Sequence, residues 1–382
     1  MNGQFLFSQY KNCRLCHRLC GVNRTIQTGF CGMPDRLYAA RAALHGWEEP
    51  CISGTYGSGT VFFSGCSLRC AYCQNHSIAL GHSGKELDTA RLAEIFLELQ
   101  EKKAANINLV TPTHYVPSIL AALDRARAGG LYLPVVYNTG NYETLDTVKM
   151  LSGYVDVYLP DFKYWSRDLA ARYSGAADYA EHAAENIAEM FRQVGAAKFF
   201  AKDAQIDSSF TAASCADGSK TGFPFSPSAQ GFKNDGGMVG EFSAKTDGGT
   251  RAQTPANTAR ENCMDSPDDP GLTESETCLM ARGVIVRHLM LPGALSDSKK
   301  IIRYLYETYG DSIYLSIMSQ YTPIAKNLTA FPELNRKVTQ AEYDKLTDFA
   351  IALGVENAFI QEGESAAESF IPEFRGEGIG KV

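Results

Sequence analysis

Residues 60–75 read TVFFSGCSLRCAYCQN. Thr60, Val61, Phe62, Phe63 and Ser64 lead through Gly65 into Cys66, Cys70 and Cys73, a C-x3-C-x2-C run. The leading residues are short, apolar and rich in β-formers, and they predict a strand. A helix pattern follows the cysteines at 89–102, where Leu92, Ile95, Phe96 and Leu99 fall at i, i+3, i+4 and i+7. A strand, a loop that carries chemistry and then a helix make the opening unit of an α/β fold with parallel strands.

The alternation continues outward from this unit. Strands are predicted at 107–110, 131–137, 155–159, 283–289 and 313–318, with one more at 357–361. Helices are predicted at 117–123, 144–151, 179–194, 297–309 and 339–353, the last capped by Thr339. Parallel strands joined by crossover helices fit an open or partial barrel as well as a doubly wound sheet. In both, functional groups gather at the C-terminal ends of the strands. Residues 1–50 show little sustained periodicity. Residues 201–280 hold only nine Leu, Ile, Val or Phe in 80 positions, too few to offset the entropy of ordering, which predicts a disordered insert. Four segments result: a Cys-rich arm at 1–55, a first part of the barrel or sheet at 56–199, the insert at 200–280, and its remainder with a C-terminal extension at 281–382.

The 382 residues are 45% hydrophobic and 21% charged, the profile of a globular protein. A net charge of −7 gives no basic field for nucleic acid. No run of about 18 apolar residues predicts a membrane span, and MNGQFLFSQYKNC does not read as a secretory signal. The expected location is cytoplasmic, where clustered cysteines more often bind metal or do redox chemistry than form disulfides.

The 11 cysteines fall into groups. Cys66, Cys70 and Cys73 are soft ligands suited to zinc or an iron–sulfur cluster. Three ligands leave one corner of a cubane cluster open, the mark of a reactive site. The alternatives are a chance run of reduced thiols, or a zinc loop that borrows Cys51 or His76. Cys13, Cys16, Cys20 and Cys31 offer four ligands within the arm, for structural zinc, a second cluster, or packed thiols. Cys51 reads as a small buried group. Cys215, Cys263 and Cys278 have no metal-like spacing.

These residues carry a resemblance. C-x3-C-x2-C after a first strand, with an aromatic before the last cysteine, is similar to the signature of radical S-adenosylmethionine (SAM) enzymes. CRLCHRLCGVNR, GFCG, GTVFFSGCSLRCAYCQN, NLVTPTHYVP, VVYNTGNYE, VYLPDFKY, RGVIVRHLMLPG and SIMSQYTP resemble, in order over about 13–323, one branch of that superfamily: uncharacterised relatives of pyruvate formate-lyase activating enzyme. The resemblance implies a partial (β/α)6 barrel and a [4Fe–4S] cluster on Cys66, Cys70 and Cys73. It implies SAM on the fourth iron, cleaved reductively to a 5′-deoxyadenosyl radical that takes hydrogen from a substrate. It places Tyr72 beside the adenine. The family's usual Gly-Gly-Glu is absent, and Asn108, Thr111 and Thr113 stand there to meet the SAM ammonium. Asn138 and Thr139 match a SAM contact, and Asp161 and Lys163 match a charged pair. Arg287 matches a partner for the SAM carboxylate. Adjacent strand residues face opposite ways, so His288 then points away. Gln320 is a weaker contact. Strand-end turn chemistry is the other reading of the Asn and Thr residues, and a plain ion pair that of Asp161 and Lys163. The implied partners are SAM, a low-potential electron donor, and a glycyl-radical enzyme or other peptide as substrate. Another peptide or small molecule is the alternative substrate, and a non-catalytic iron–sulfur or zinc module the alternative class.

Overall fold

The structure is a computed structural model that describes residues 3–80, 83–200, 278–323, 326–361 and 372–380. Except at its ends, the insert expected at 200–280 lies outside the described residues, as do Cys215 and Cys263. Cys278 is disulfide-bonded.

Ten strands form one large, mostly parallel sheet. They are β1 (Leu37–His45), β2 (Ser58–Phe63), β3 (Lys85–Leu87), β4 (Ile107–Val110), β5 (Val135–Thr139), β6 (Val157–Pro160), β7 (Lys198–Phe199), β8 (Met280–Leu289), β9 (Tyr314–Met318) and β10 (Ala358–Ile360). The order is β10-β9-β8-β6-β5-β4-β2-β1-β3, with β7 paired to β8. From β2 to β10 along this path every pairing is parallel. Helices Thr89–Glu101, Val116–Ala128, Leu145–Met150, Tyr179–Val194, Leu295–Tyr309 and Gln340–Leu353 alternate with these strands. Among the described residues β10 and β3 end the path, so the sheet is not closed. The fold is mixed α/β on a large, mostly parallel sheet, the class that the alternation predicts.

The strands β2, β4, β5 and β6 are buried along their whole length. Parallel strands covered on both faces need this apolar content. The helices cover one face through single apolar stripes, as Leu92, Ile95, Phe96 and Leu99 show. The helix Gln340–Leu353 opens with Thr339 and Glu342 in a reciprocal capping box. The helix Arg167–Ser174 was not expected from the pattern. Its N-cap is Ser166, and it ends at Gly175, which is left-handed at φ 58°.

Two expectations are corrected. The strand expected at 131–137 begins only at Val135, because Pro134 has no N–H for the ladder and offers only its carbonyl, to Ile107 N. The arm is also not without regular structure. Its residues 37–45 form β1, antiparallel to both β2 and β3. The link from β1 to β2 then folds in and sets Cys51 and Ile52 against Val136, Val157, Leu159, Met280 and Ile285. That small core is the floor on which the β1–β2 link rests.

Candidate functional site

The loops at the C-terminal ends of the parallel strands enclose a cavity of about 240 Å³. Cys66, Cys70 and Cys73 line it after β2, Thr111 after β4, Asn138 and Thr139 at the end of β5, and Asp161 and Lys163 after β6. Arg287 lines it from β8 and Gln320 from beyond β9. Among the described residues no fourth cysteine reaches it.

The cysteine loop is closely fitted. Leu68 N donates to Cys66 Sγ at 3.4 Å, and Ser174 Oγ donates to Cys70 Sγ at 3.0 Å. A Cβ on Gly140 would stand 2.9 Å from the Leu68 side chain, so that glycine lets the β5 end approach the loop. Burial pushes the Cys66 and Cys73 thiols up, which makes them poor anions without a cation beside them. Lys163 supplies some of that charge. Burial works against it, but the Asp161 carboxylate, 2.5 Å from Nζ, and the Cys70 thiol hold it above its ordinary range. Three soft ligands in one cavity suit a [4Fe–4S] cluster. Its corners spread wider than the shell of one ion. Among the described residues, no three His, Cys, Asp or Glu side chains gather as a site for a single metal ion.

Tyr72 is buried with its ring edge-on to Tyr164, Tyr173 and Tyr321, at centroid distances of 6.2, 6.4 and 6.1 Å. Tyr72 lines the cavity, and the other three rings back it. Thr111 sits in the left-handed region at φ 56°, a disfavoured place for a β-branched residue and one that recurs at functional sites. Asn108 does not line the cavity. Its amide turns to Glu48 Oε1 at 3.1 Å, and Asn138 reaches the same oxygen at 3.4 Å. Thr113 also turns away and donates to buried Glu143 at 2.6 Å, as Tyr137 does at 3.1 Å; Thr139 Oγ1 donates to the same carboxylate. His288 points away from the cavity, its Nδ1 donating to the Phe162 carbonyl at 2.8 Å. Gln74 Nε2 donates to the Gln320 carbonyl at 3.1 Å and so ties the cysteine loop to the chain after β9.

Sequence reasoning missed the acidic pair beside Arg287, of which Glu48 lines the cavity. Glu48 and Glu49, from the link between β1 and β2, lie 2.8 and 3.1 Å from the Arg287 guanidinium. Burial works against the charge of Arg287, and the Glu49 and Glu48 carboxylates override it. Two carboxylates share one cation, and Glu49 Oε2 has no hydrogen-bond partner among the described residues. The only available signal was compositional: Asp35, Glu48 and Glu49 are the sole acids in the first 55 residues.

The arm cysteines lie apart from the cavity. Cys13, Cys16 and Cys31 are buried, Cys20 is half-buried, and all four are free. Burial pushes the Cys16 thiol up to about 12. Cys31 and Cys20 both face Gly29, where a Cβ would lie 3.4 and 3.6 Å from their sulfurs. A buried cation, Arg24, stands beside Cys13 Sγ at 3.9 Å and donates to the Met33 carbonyl at 3.1 Å. Cys51 belongs to the floor core.

Comparison with known proteins finds an iron–sulfur domain in this chain. Residues 53–172 match the family model of a 4Fe-4S single cluster domain, a span that holds β2 through β6 and Cys66, Cys70 and Cys73. An uncharacterized protein of Methanocaldococcus jannaschii is 32% identical over 179 residues, covering 44% of this chain and 51% of that protein. The chain thus spans about half the length of the curated relative it matches. Among the described residues, no helix is long and apolar enough to cross a membrane.

Proposed function

We propose that this chain is a radical SAM enzyme built on a partial barrel. The carrying observation is that three cysteines, and no fourth among the described residues, line one cavity at the C-terminal ends of parallel strands. A [4Fe–4S] cluster held there, with SAM on its open iron, supplies reductive cleavage of SAM to methionine and a 5′-deoxyadenosyl radical. The chain's own part is to bind, orient and shield. Cys66, Cys70 and Cys73 hold three corners. The tyrosine wall around Tyr72 keeps water from that end, and Lys163 places a cation beside the thiolates. Asp161, Asn138, Thr139 and Thr111 are the proposed contacts for the polar groups of SAM.

The resemblance of the flanking segments supports a finer reading. The hydrogen donor is then a glycyl residue of a partner protein, left as a glycyl radical, and the electron comes from a low-potential donor in the cytoplasm.

The test is anaerobic. The protein is reconstituted with iron and sulfide, reduced and given SAM, and 5′-deoxyadenosine is measured by chromatography. Wild type should form it, and Cys70→Ala should lose both cluster and product. An intact cluster that forms no 5′-deoxyadenosine would overturn the reading.

A further inference from the structure

One guanidinium outside the cavity joins the arm to the cysteine loop. Arg18 stands between Cys16 and Cys20. Its Nε donates to the Ser67 carbonyl at 2.7 Å. Its Nη2 donates to the Ser174 carbonyl at 2.6 Å and the Leu68 carbonyl at 3.3 Å, and its Nη1 to the Gly175 carbonyl. Ser67 and Leu68 lie inside the loop, between Cys66 and Cys70. Ser174 ends the helix Arg167–Ser174, and it is the residue whose hydroxyl meets Cys70 Sγ.

The surroundings hold this side chain in place. The Phe30 ring lies 4.3 Å from the Arg18 guanidinium and 5.0 Å from that of Arg69, a loop residue. Leu19, the next residue, adopts φ 43° although it is 53% exposed. That conformation is disfavoured for a residue with a Cβ and gains no burial in return; it forms the turn that aims Arg18. The arm also presses on the start of the loop. At Gly65 a Cβ would lie 2.2 Å from Met33 Cγ and 2.9 Å from the Cys31 carbonyl.

A loop of this length that turns three sulfurs inward leaves backbone carbonyls facing outward, and these need donors. A planar guanidinium with five N–H groups in a fixed fork can serve several carbonyls at once. The helix C-terminus adds partial negative charge to the attraction.

We propose that Arg18 is a positioning residue for the cluster-binding loop, so that the four-cysteine arm sets the shape of the [4Fe–4S] site. This rests on the reading of Cys66, Cys70 and Cys73 as cluster ligands. The partners that orient metal ligands typically matter by about 10–100-fold in metal affinity when removed.

The test uses the full chain as wild type, Arg18→Ala, Arg18→Lys and, as control, Arg14→Ala, an exposed neighbour. Each is reconstituted anaerobically. The rate of iron release to a chelator is followed by absorbance, and the reduced cluster is examined by EPR with and without SAM. Melting of each apo-protein reports the fold. Release should rise about 10–100-fold in Arg18→Ala. In Arg18→Lys it should rise less, with an altered EPR signal and an unchanged apo melting temperature. Arg14→Ala should match wild type. Wild-type release rates and EPR in both Arg18 variants would overturn the proposal. If Arg18→Ala does not fold, Arg18→Lys decides by the same readouts. A wild-type chain that assembles no cluster refutes the ligand assignment itself, and the proposal falls with it.

Discussion

Arg287 is the clearest case of a side chain whose surroundings matter more than its type. As a lone arginine near a strand end it matched a contact for the SAM carboxylate. In the fold it already holds Glu48 and Glu49, with all three side chains at most 14% exposed. Breaking a buried pair from one side leaves uncompensated charge, typically at a cost of about 3–5 kcal/mol. Arg287→Ala should therefore destabilise the apo-protein by that order in urea unfolding, and adding Glu48→Gln and Glu49→Gln should recover part of it. If Arg287→Ala unfolds with the wild-type midpoint, the pairing of Arg287 with Glu48 and Glu49 contributes nothing to stability. The acid dipeptide was visible in the sequence, but its target was not, because Glu48 and Arg287 are 239 residues apart. The grouping of Cys66, Cys70 and Cys73 at one cavity was legible because all three lie within one short loop.

Most strands and helices could be read locally. The helix at 179–194 has the predicted bounds, and Thr339 is the cap that the pattern suggested. Thr339→Ala removes one half of a capping box and should cost about 1 kcal/mol, read as a lower urea midpoint, with 5′-deoxyadenosine formation unchanged. A midpoint equal to wild type would show that the box adds nothing. β1 was not legible. Its sequence, LYAARAALH, is rich in alanine, the best helix former. Pairing with β2 on one side and β3 on the other overrides that preference. Local propensity is worth tenths of a kcal/mol per residue, and burial between two strands outweighs it.

Across the fold as a whole, buried neutral histidines set an acid limit on stability. Burial first, with help from Arg24, lowers His114 from 6.5 to about 3, and burial lowers His288 to about 4. In each, one ring nitrogen donates to a carbonyl, Ser64 for His114 and Phe162 for His288, and the other has no hydrogen-bond partner among the described residues. Above pH 6.5 both states are neutral and this contribution is fully present. Below it the unfolded chain binds protons that the native state refuses, so stability falls with pH, by up to about 1.4 kcal/mol per unit for each histidine. Asp156 and Asp297, raised by burial, act in the opposite sense. The urea midpoint should drop between pH 7 and pH 4.5, and by less in a folded His114→Asn variant. An equal drop in both would remove His114 as a cause.

The sequence by itself determined the C-x3-C-x2-C loop after a strand and the alternation of strands and helices along the chain. Each depends on spacing or periodicity within a few turns of chain, where covalent geometry limits the outcomes. Only the tertiary structure decided that the arm enters the sheet as β1, that Glu48 and Glu49 pair with Arg287, and that Arg18 grips the loop. Arg18 meets carbonyls 49 and 157 residues away. Such contacts depend on which surfaces the packed core brings together, and no local pattern encodes that.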